Sequence, residues 1–168
     1  LLDDKVLSSW NGMMLRSFAE AGAAFRRSDY LEAAIKNANF LLETMRSDGK
    51  LLRTYRAGQA KLPGYLEDYS FVADGLLALY EATFDRRWLT ASVDLADRMI
   101  ELFWDDGVGG FYDTSEEHDQ LVVRPRGVLD NAQPCGGSVA TDVLLKLAVI
   151  TGNEDHRVKA ATPLRTLK

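Results

Sequence analysis

Cysteine, histidine and proline are scarce in this 168-residue chain, which holds one Cys, two His and four Pro. A lone Cys135 cannot close an internal disulfide. There is no CxxC pair and no Cys/His cluster at metal-ligand spacing, so no metal or cofactor is expected. Such cysteine usage suits a reducing compartment, and the cytoplasm is the expected location. An excess of positive charge is missing as well. The formal net charge is −5, the wrong sign for the basic stripe of a nucleic-acid binder. Arg53, Arg56, Lys61, Arg124 and Arg126 fall in inter-helix loops, scattered like a solvated surface rather than aligned as a phosphate track. No apolar run approaches the length of a membrane span, and no signal peptide opens the chain. The opening Leu1-Leu2-Asp3-Asp4-Lys5 reads instead as the interior of a longer protein.

What the chain does have is a helical pattern written three times. Trp10-Asn11-Gly12-Met13-Met14 leads to Phe18-Ala19-Glu20-Ala21. Asp68-Tyr69-Ser70-Phe71-Val72 leads to Leu79-Tyr80-Glu81-Ala82, and Gly136-Gly137-Ser138-Val139-Ala140 leads to Leu147-Ala148-Val149-Ile150. Each is followed within a few residues by a second helical pattern. A period of about sixty residues built of paired helices implies stacked helical hairpins, none able to bury its apolar face alone. The chain is read as one all-α domain, 1–168, with approximate repeats at 8–64, 65–129 and 130–168.

Periodicity sorts the helices into two kinds. A first helix is predicted over 9–27, capped by Ser8 or Ser9. A second over 28–46, capped by Ser28 or Asp29, places Leu31, Ala34, Ile35, Ala38, Leu41, Leu42 and Met45 on one face. The helix predicted over 67–84 is apolar nearly all round, the mark of burial on most sides. Its partner over 85–104 is again amphipathic. The fifth, over 137–150, is largely apolar; the sixth begins near Asn153 and is expected to stop at Pro163. Buried helices alternating with amphipathic ones predict an inner and an outer layer. Turns within each pair are short, whereas the returns over 47–66 and 105–135 are long. The long returns contain β-like runs at 51–55, 110–113 and 121–124, and the turn signals Asp48-Gly49 and Asp106-Gly107. Long loops on the rim where inner helices start are where function is expected.

On that rim, Glu67 and Asp68 enter the third helix, where a carboxylate either caps the helix or faces a cavity as a catalytic acid or base. Asp130 precedes the fifth helix on the same rim. Two carboxylates flanking a glycosidic bond divide acid and base roles. Trp10, Asn11, Tyr65 and Tyr69 supply aromatics and an amide suited to sugar rings and hydroxyls, or to packing. Cys135 as a nucleophile has no neighbouring His in sequence. The stretch 105–110 lacks the alternating oxygen ligands of a calcium loop and reads as a glycine-rich turn.

Four ordered motifs carry a resemblance. They are Asp3-Asp4-Lys5-Val6-Leu7-Ser8-Ser9-Trp10-Asn11-Gly12, Tyr65-Leu66-Glu67-Asp68-Tyr69-Ser70-Phe71, Gly109-Gly110-Phe111-Tyr112-Asp113-Thr114 and Asp130-Asn131-Ala132-Gln133-Pro134. Together they resemble the thioredoxin-domain-containing, spermatogenesis-associated protein 20-like family. The resemblance implies a thioredoxin-like domain followed by an (α/α)6 toroid similar to six-hairpin glycosidases and the N-acylglucosamine 2-epimerase fold. This chain looks like the toroid portion alone, with about three hairpins of six, so the redox chemistry does not carry over. Pro134-Cys135-Gly136-Gly137-Ser138 departs from the family's Pro-Ser-Gly-Asn-Ser-like run. No His stands at an inner-helix start, which argues against epimerase chemistry. The resemblance therefore implies a carbohydrate-associated segment with glycoside hydrolase-like acid/base residues Glu67, Asp68 and Asp130. The competing reading is a non-catalytic scaffold for protein or peptide. Open hairpin ends would also favour homo-oligomers.

Overall fold

The computed structural model describes residues 3–118 and 122–166. Among them, six helices form three hairpins: α1 (Ser8–Phe25) with α2 (Ser28–Glu43), α3 (Leu66–Thr83) with α4 (Arg86–Phe103), and α5 (Gly136–Thr151) with α6 (Glu154–Thr166). The inner helix of each hairpin is the first. Helix α3 is buried at every position from Leu66 to Leu79 except Glu67, because α1, α4 and α5 all pack on it. Helix α4 buries one face only, through Trp88, Leu95, Ala96, Met99 and Phe103. The three inner helices end alike, on a residue in the left-handed region: Arg26 at φ 54°, Phe84 at φ 55° and Gly152 at φ 73°. That cap turns the chain sharply enough for a short hairpin. Only the third repeat uses the glycine that adopts it without strain.

Helices α1 and α3 meet backbone to backbone. A Cβ on Gly12 would lie 2.5 Å from the Phe71 carbonyl carbon, and one on Gly75 would lie 2.7 Å from the Gly12 carbonyl oxygen. Leu15, Leu76 and Leu144 then fill the core between inner helices. At the two edges of the arrangement apolar side chains remain in solvent, Trp10 and Met14 on α1 and Leu145 and Val149 on α5.

The first long return folds into a small antiparallel sheet. Strand β3 (Lys50–Arg56) pairs with β1 (Val6–Leu7), β2 (Arg46–Ser47) and β4 (Gln59–Pro63), with Val6 opposite Tyr55 and Thr54 opposite Lys61. In the second return, β5 (Trp104–Asp105) pairs with β6 (Gly110–Phe111). The β-like runs at 51–55 and 110–113 thus contribute β3 and β6. The run at 121–124 does not: residues 122–124 lie in no strand, and Leu121 is outside the described residues.

Two local expectations change. Pro163 lies inside α6 rather than ending it. Within a turn of the helix end, the ring removes one hydrogen bond to the preceding turn and leaves few behind it to lose. Neither serine caps α1 with its side chain. Ser8 donates instead to Leu52 O at 2.6 Å, and the Ser9 amide donates to Asp68 Oδ1 at 2.9 Å. The first-turn amide of α1 is capped by a carboxylate of α3. Nor do Ser28 and Asp29 cap α2, where Asp29 pairs with Arg27.

Candidate functional site

Asp68 anchors the rim on which the inner helices start. It stands in the first turn of α3 and is 0% exposed. Its Oδ2 reaches back to the Tyr65 amide at 2.9 Å, the reciprocal bond of a capping box. The same oxygen accepts from Arg53 Nη1 at 3.0 Å, while Oδ1 holds Ser9 N. One carboxylate therefore ties α1, β3 and α3 together. Burial pushes its pKa up to about 6, against the Tyr65 amide and the Arg53 charge that pull it down.

Glu67 is the next residue back along α3 and points the other way, as neighbours about 100° apart on a helix must. Its Oε1 accepts from the same Arg53 Nη1 at 3.0 Å, and its Oε2 accepts from Gln133 Nε2. Arg53 is thus shared between a buried acid and a half-exposed one. Its guanidinium also lies 4.4 Å from the Tyr65 ring centroid, and the His118 ring packs at 4.4 Å from that same ring.

Residues 112–118 and 122–135 close the other side. Leu66 N donates to Asp113 O at 3.0 Å, which fastens this loop to the start of α3. Asp113 Oδ2 accepts from Gly127 N at 2.7 Å. Cys135 Sγ donates to Gly127 O at 3.1 Å, and Cys135 N donates to Asp130 Oδ1 at 2.8 Å. Gly136 brings the start of α5 against α3 so closely that a Cβ there would lie 3.2 Å from Glu67 Cα. Between these parts is an open cleft of about 270 Å³, lined by Arg53, Tyr65, Glu67, Asp113, Asn131 and Gln133 among others. Burial raises the Asp113 pKa and the Glu67 charge adds to the rise, while the Gly127 amide lowers it.

Of the residues singled out from sequence, Glu67 and Tyr65 line this cleft. Asp68 lies beneath it with no exposed surface, holding Arg53. Asp130 is exposed and braces the turn into α5 rather than lining the cleft. Trp10 is 60% exposed on α1, outside the cleft. Asn11 donates its side-chain amide to Leu7 O at 2.9 Å, and its backbone carbonyl accepts from Asn37 Nδ2. Tyr69 is 1% exposed in the core, with its ring edge-on to Phe103 and its hydroxyl accepting from Leu51 N at 2.9 Å. Tyr69→Phe should therefore cost roughly 1–3 kcal/mol in urea unfolding, the penalty for a buried amide left without a partner. A stability within experimental error of wild type would mean that Leu51 N finds water.

Sequence reasoning passes over Asp113, Arg53, Asn131 and Gln133 as site residues. Three of them stand in the motifs that carry the resemblance, at Gly109–Thr114 and Asp130–Pro134. No group of three or more His, Cys, Asp or Glu among the described residues is placed to hold a metal ion. No helix among the described residues is long and apolar enough to cross a membrane.

Concentric helical hairpins with a cleft at the rim define the class: the chain has the fold of part of an (α/α)6 toroid of the glycosidase-like kind. It superposes on a cellobiose 2-epimerase from Spirochaeta thermophila with a TM-score of 0.73 at 18% identity, covering 94% of this chain and 42% of that one. A GH76 alpha-mannanase from Bacteroides thetaiotaomicron gives 0.72 at 19% identity, covering 98% and 44%. At those identities the likeness shows the fold alone. In sequence the chain is homologous to spermatogenesis-associated protein 20. It is 39% identical to the protein of that name from Mus musculus and 36% to that from Homo sapiens, over 92% of this chain in each case. The match spans 21% of the length of those relatives, as a portion of a larger protein would. No family model matches the chain.

Proposed function

We propose that the cleft at the inner-helix rim binds carbohydrate. The observation that carries this reading is the convergence of Glu67, Asp113, Gln133, Asn131 and Tyr65 on one open cleft. Two carboxylates and two amides form a set of acceptors and donors suited to vicinal hydroxyls, and apolar walls from Leu129 and Pro134 suit the C–H faces of a sugar ring. The epimerase and the mannanase that share the fold are carbohydrate-processing proteins, which supports the same class of ligand. With its single free cysteine, the chain fits the cytoplasm. A scaffold that binds protein or peptide is the second reading, favoured by the exposed apolar residues Trp10, Met14, Leu145 and Val149.

Calorimetric titration with mono- and disaccharides of glucose and mannose separates the two. Saturable binding to the wild type, weakened about tenfold or more by Glu67→Gln, is the expected result; loss of one charge-assisted hydrogen bond is worth roughly that factor. The carbohydrate reading fails if no sugar in the panel binds, or if Glu67→Gln binds as wild type does.

A further inference from the structure

The two carboxylates that line the cleft are held in different ways, and a chemical role for them rests on the carbohydrate reading of that cleft. Both oxygens of Glu67 are occupied by donors, Arg53 Nη1 on Oε1 and Gln133 Nε2 on Oε2. Glu67 is thus held in place from both sides, by a guanidinium and by an amide. Asp113 differs. Its Oδ2 accepts from the Gly127 amide at 2.7 Å, and no donor among the described residues reaches its Oδ1. That oxygen is free to carry a hydrogen, and Asp113 lines the cleft. We propose that Asp113 is the proton donor of this cleft and Glu67 the proton acceptor in the cleavage of a glycosidic bond. Burial of Asp113 and the nearby negative charge of Glu67 act in the same direction, favouring the protonated form. Asp68 is excluded as the donor. Its oxygens are taken by Ser9 N, Tyr65 N and Arg53, and it has no surface on the cleft. It is a positioning residue, acting through Arg53 on Glu67.

In the step, Asp113 Oδ1 gives its proton to the glycosidic oxygen as the bond from that oxygen to the anomeric carbon breaks. The bonding electron pair leaves with the oxygen. A water oxygen bonds to the anomeric carbon, and Glu67 takes the water's proton. One water is consumed and nothing is oxidised or reduced. Exchange with solvent then restores the proton of Asp113 and removes that of Glu67.

The test has one arm on the wild type alone and one on variants. Carboxyl-carbon NMR titration should show Asp113 taking up its proton above the ordinary carboxyl range; uptake within or below that range overturns the proposal. Phenyl and dinitrophenyl glycosides of a sugar that binds by calorimetry are then compared. Asp113→Asn keeps an oxygen for Gly127 N. It should lose roughly 10²–10⁴-fold on the phenyl glycoside, whose leaving oxygen needs a proton. On the dinitrophenyl glycoside, whose leaving oxygen needs none, it should lose little. Glu67→Gln should lose on both. Equal losses for Asp113→Asn on the two substrates overturn its role as acid. A sugar that binds while neither glycoside is turned over overturns the proposal and leaves the binding reading standing. Absence of binding overturns both.

Discussion

Asp68→Ala should destabilise the chain by roughly 2–4 kcal/mol at neutral pH, the cost of leaving buried backbone donors unsatisfied. The Ser9 and Tyr65 amides both lose their acceptor, a side chain with no exposed surface of its own. Arg53 keeps Glu67, so the guanidinium is not orphaned and the loss stays below that of a fully broken buried ion pair. The effect depends on pH in a direction that is fixed by the site. Folding raises the Asp68 pKa to about 6, so the folded state holds a proton that the unfolded state has released. The stability that this provides is fully present below the ordinary carboxyl range, near pH 4, and is lost as pH rises through about 6. The gap between wild type and Asp68→Ala should therefore widen on going from pH 7 to pH 4, by up to about 3 kcal/mol. Chemical unfolding of both proteins at a series of pH values measures it. A gap that narrows toward low pH would show that the three donors around Asp68 outweigh its burial and hold it as the anion.

Gly12→Ala should cost about 2 kcal/mol or more, net of the roughly 1 kcal/mol that Ala gains over Gly in a helix. The added methyl would meet the Phe71 carbonyl carbon at 2.5 Å and the Val72 nitrogen at 2.6 Å. Those atoms belong to the backbone of the most buried helix, so relief requires α1 and α3 to move apart along their whole contact. At this chain length the thermal midpoint should fall by roughly 4–8 °C. Gly22→Ala is the informative contrast. There the methyl would meet Leu31 Cδ2 and Cγ at 2.8 Å, the movable end of a side chain, and the helix gains the same propensity. A smaller loss is expected. If the two variants unfold alike, backbone contact is not what sets the spacing of the inner helices.

The layers of this fold are legible in the sequence because they follow from local pattern. Apart from Asp74, the residues of 71–80 leave almost no polar face to offer solvent, and α3 is buried almost throughout. The polar stripe of α4 similarly forecasts an outer helix. The ends of the helices are harder to read where they rest on distant partners. Nothing near Ser9 reveals that its amide is capped by Asp68, since that bond exists only once α1 and α3 have docked. Pattern also places Glu67 and Asp68 on the rim without telling which faces inward, because adjacent helical residues diverge and either could point to the core. The packing of α3 decides it. Tyr65 and Tyr69 are equally ambiguous: Tyr65 precedes α3 and borders the cleft, whereas Tyr69 is one turn inside and meets Phe103.

Asp113 is out of reach for a different reason. Its position is set by long-range bonds, its carbonyl accepting from Leu66 N and its side chain from Gly127 N, within a long return whose described residues have little regular structure. Periodicity carries no information about such a segment. The loop composition points to function in general, and the fold is needed to bring Asp113 to Glu67 and leave Asp130 outside.

Backbone amide NMR during titration with a disaccharide of glucose or mannose tests most directly whether Glu67 and Asp113 share a sugar-binding cleft. Saturable shifts should centre on Glu67, Asp113, Gly127, Gln133 and Gly136, the amides that border the cleft and its walls. Shifts confined to the exposed faces of α1 and α5 around Trp10, Met14, Leu145 and Val149, or no saturable shift at all, would contradict it.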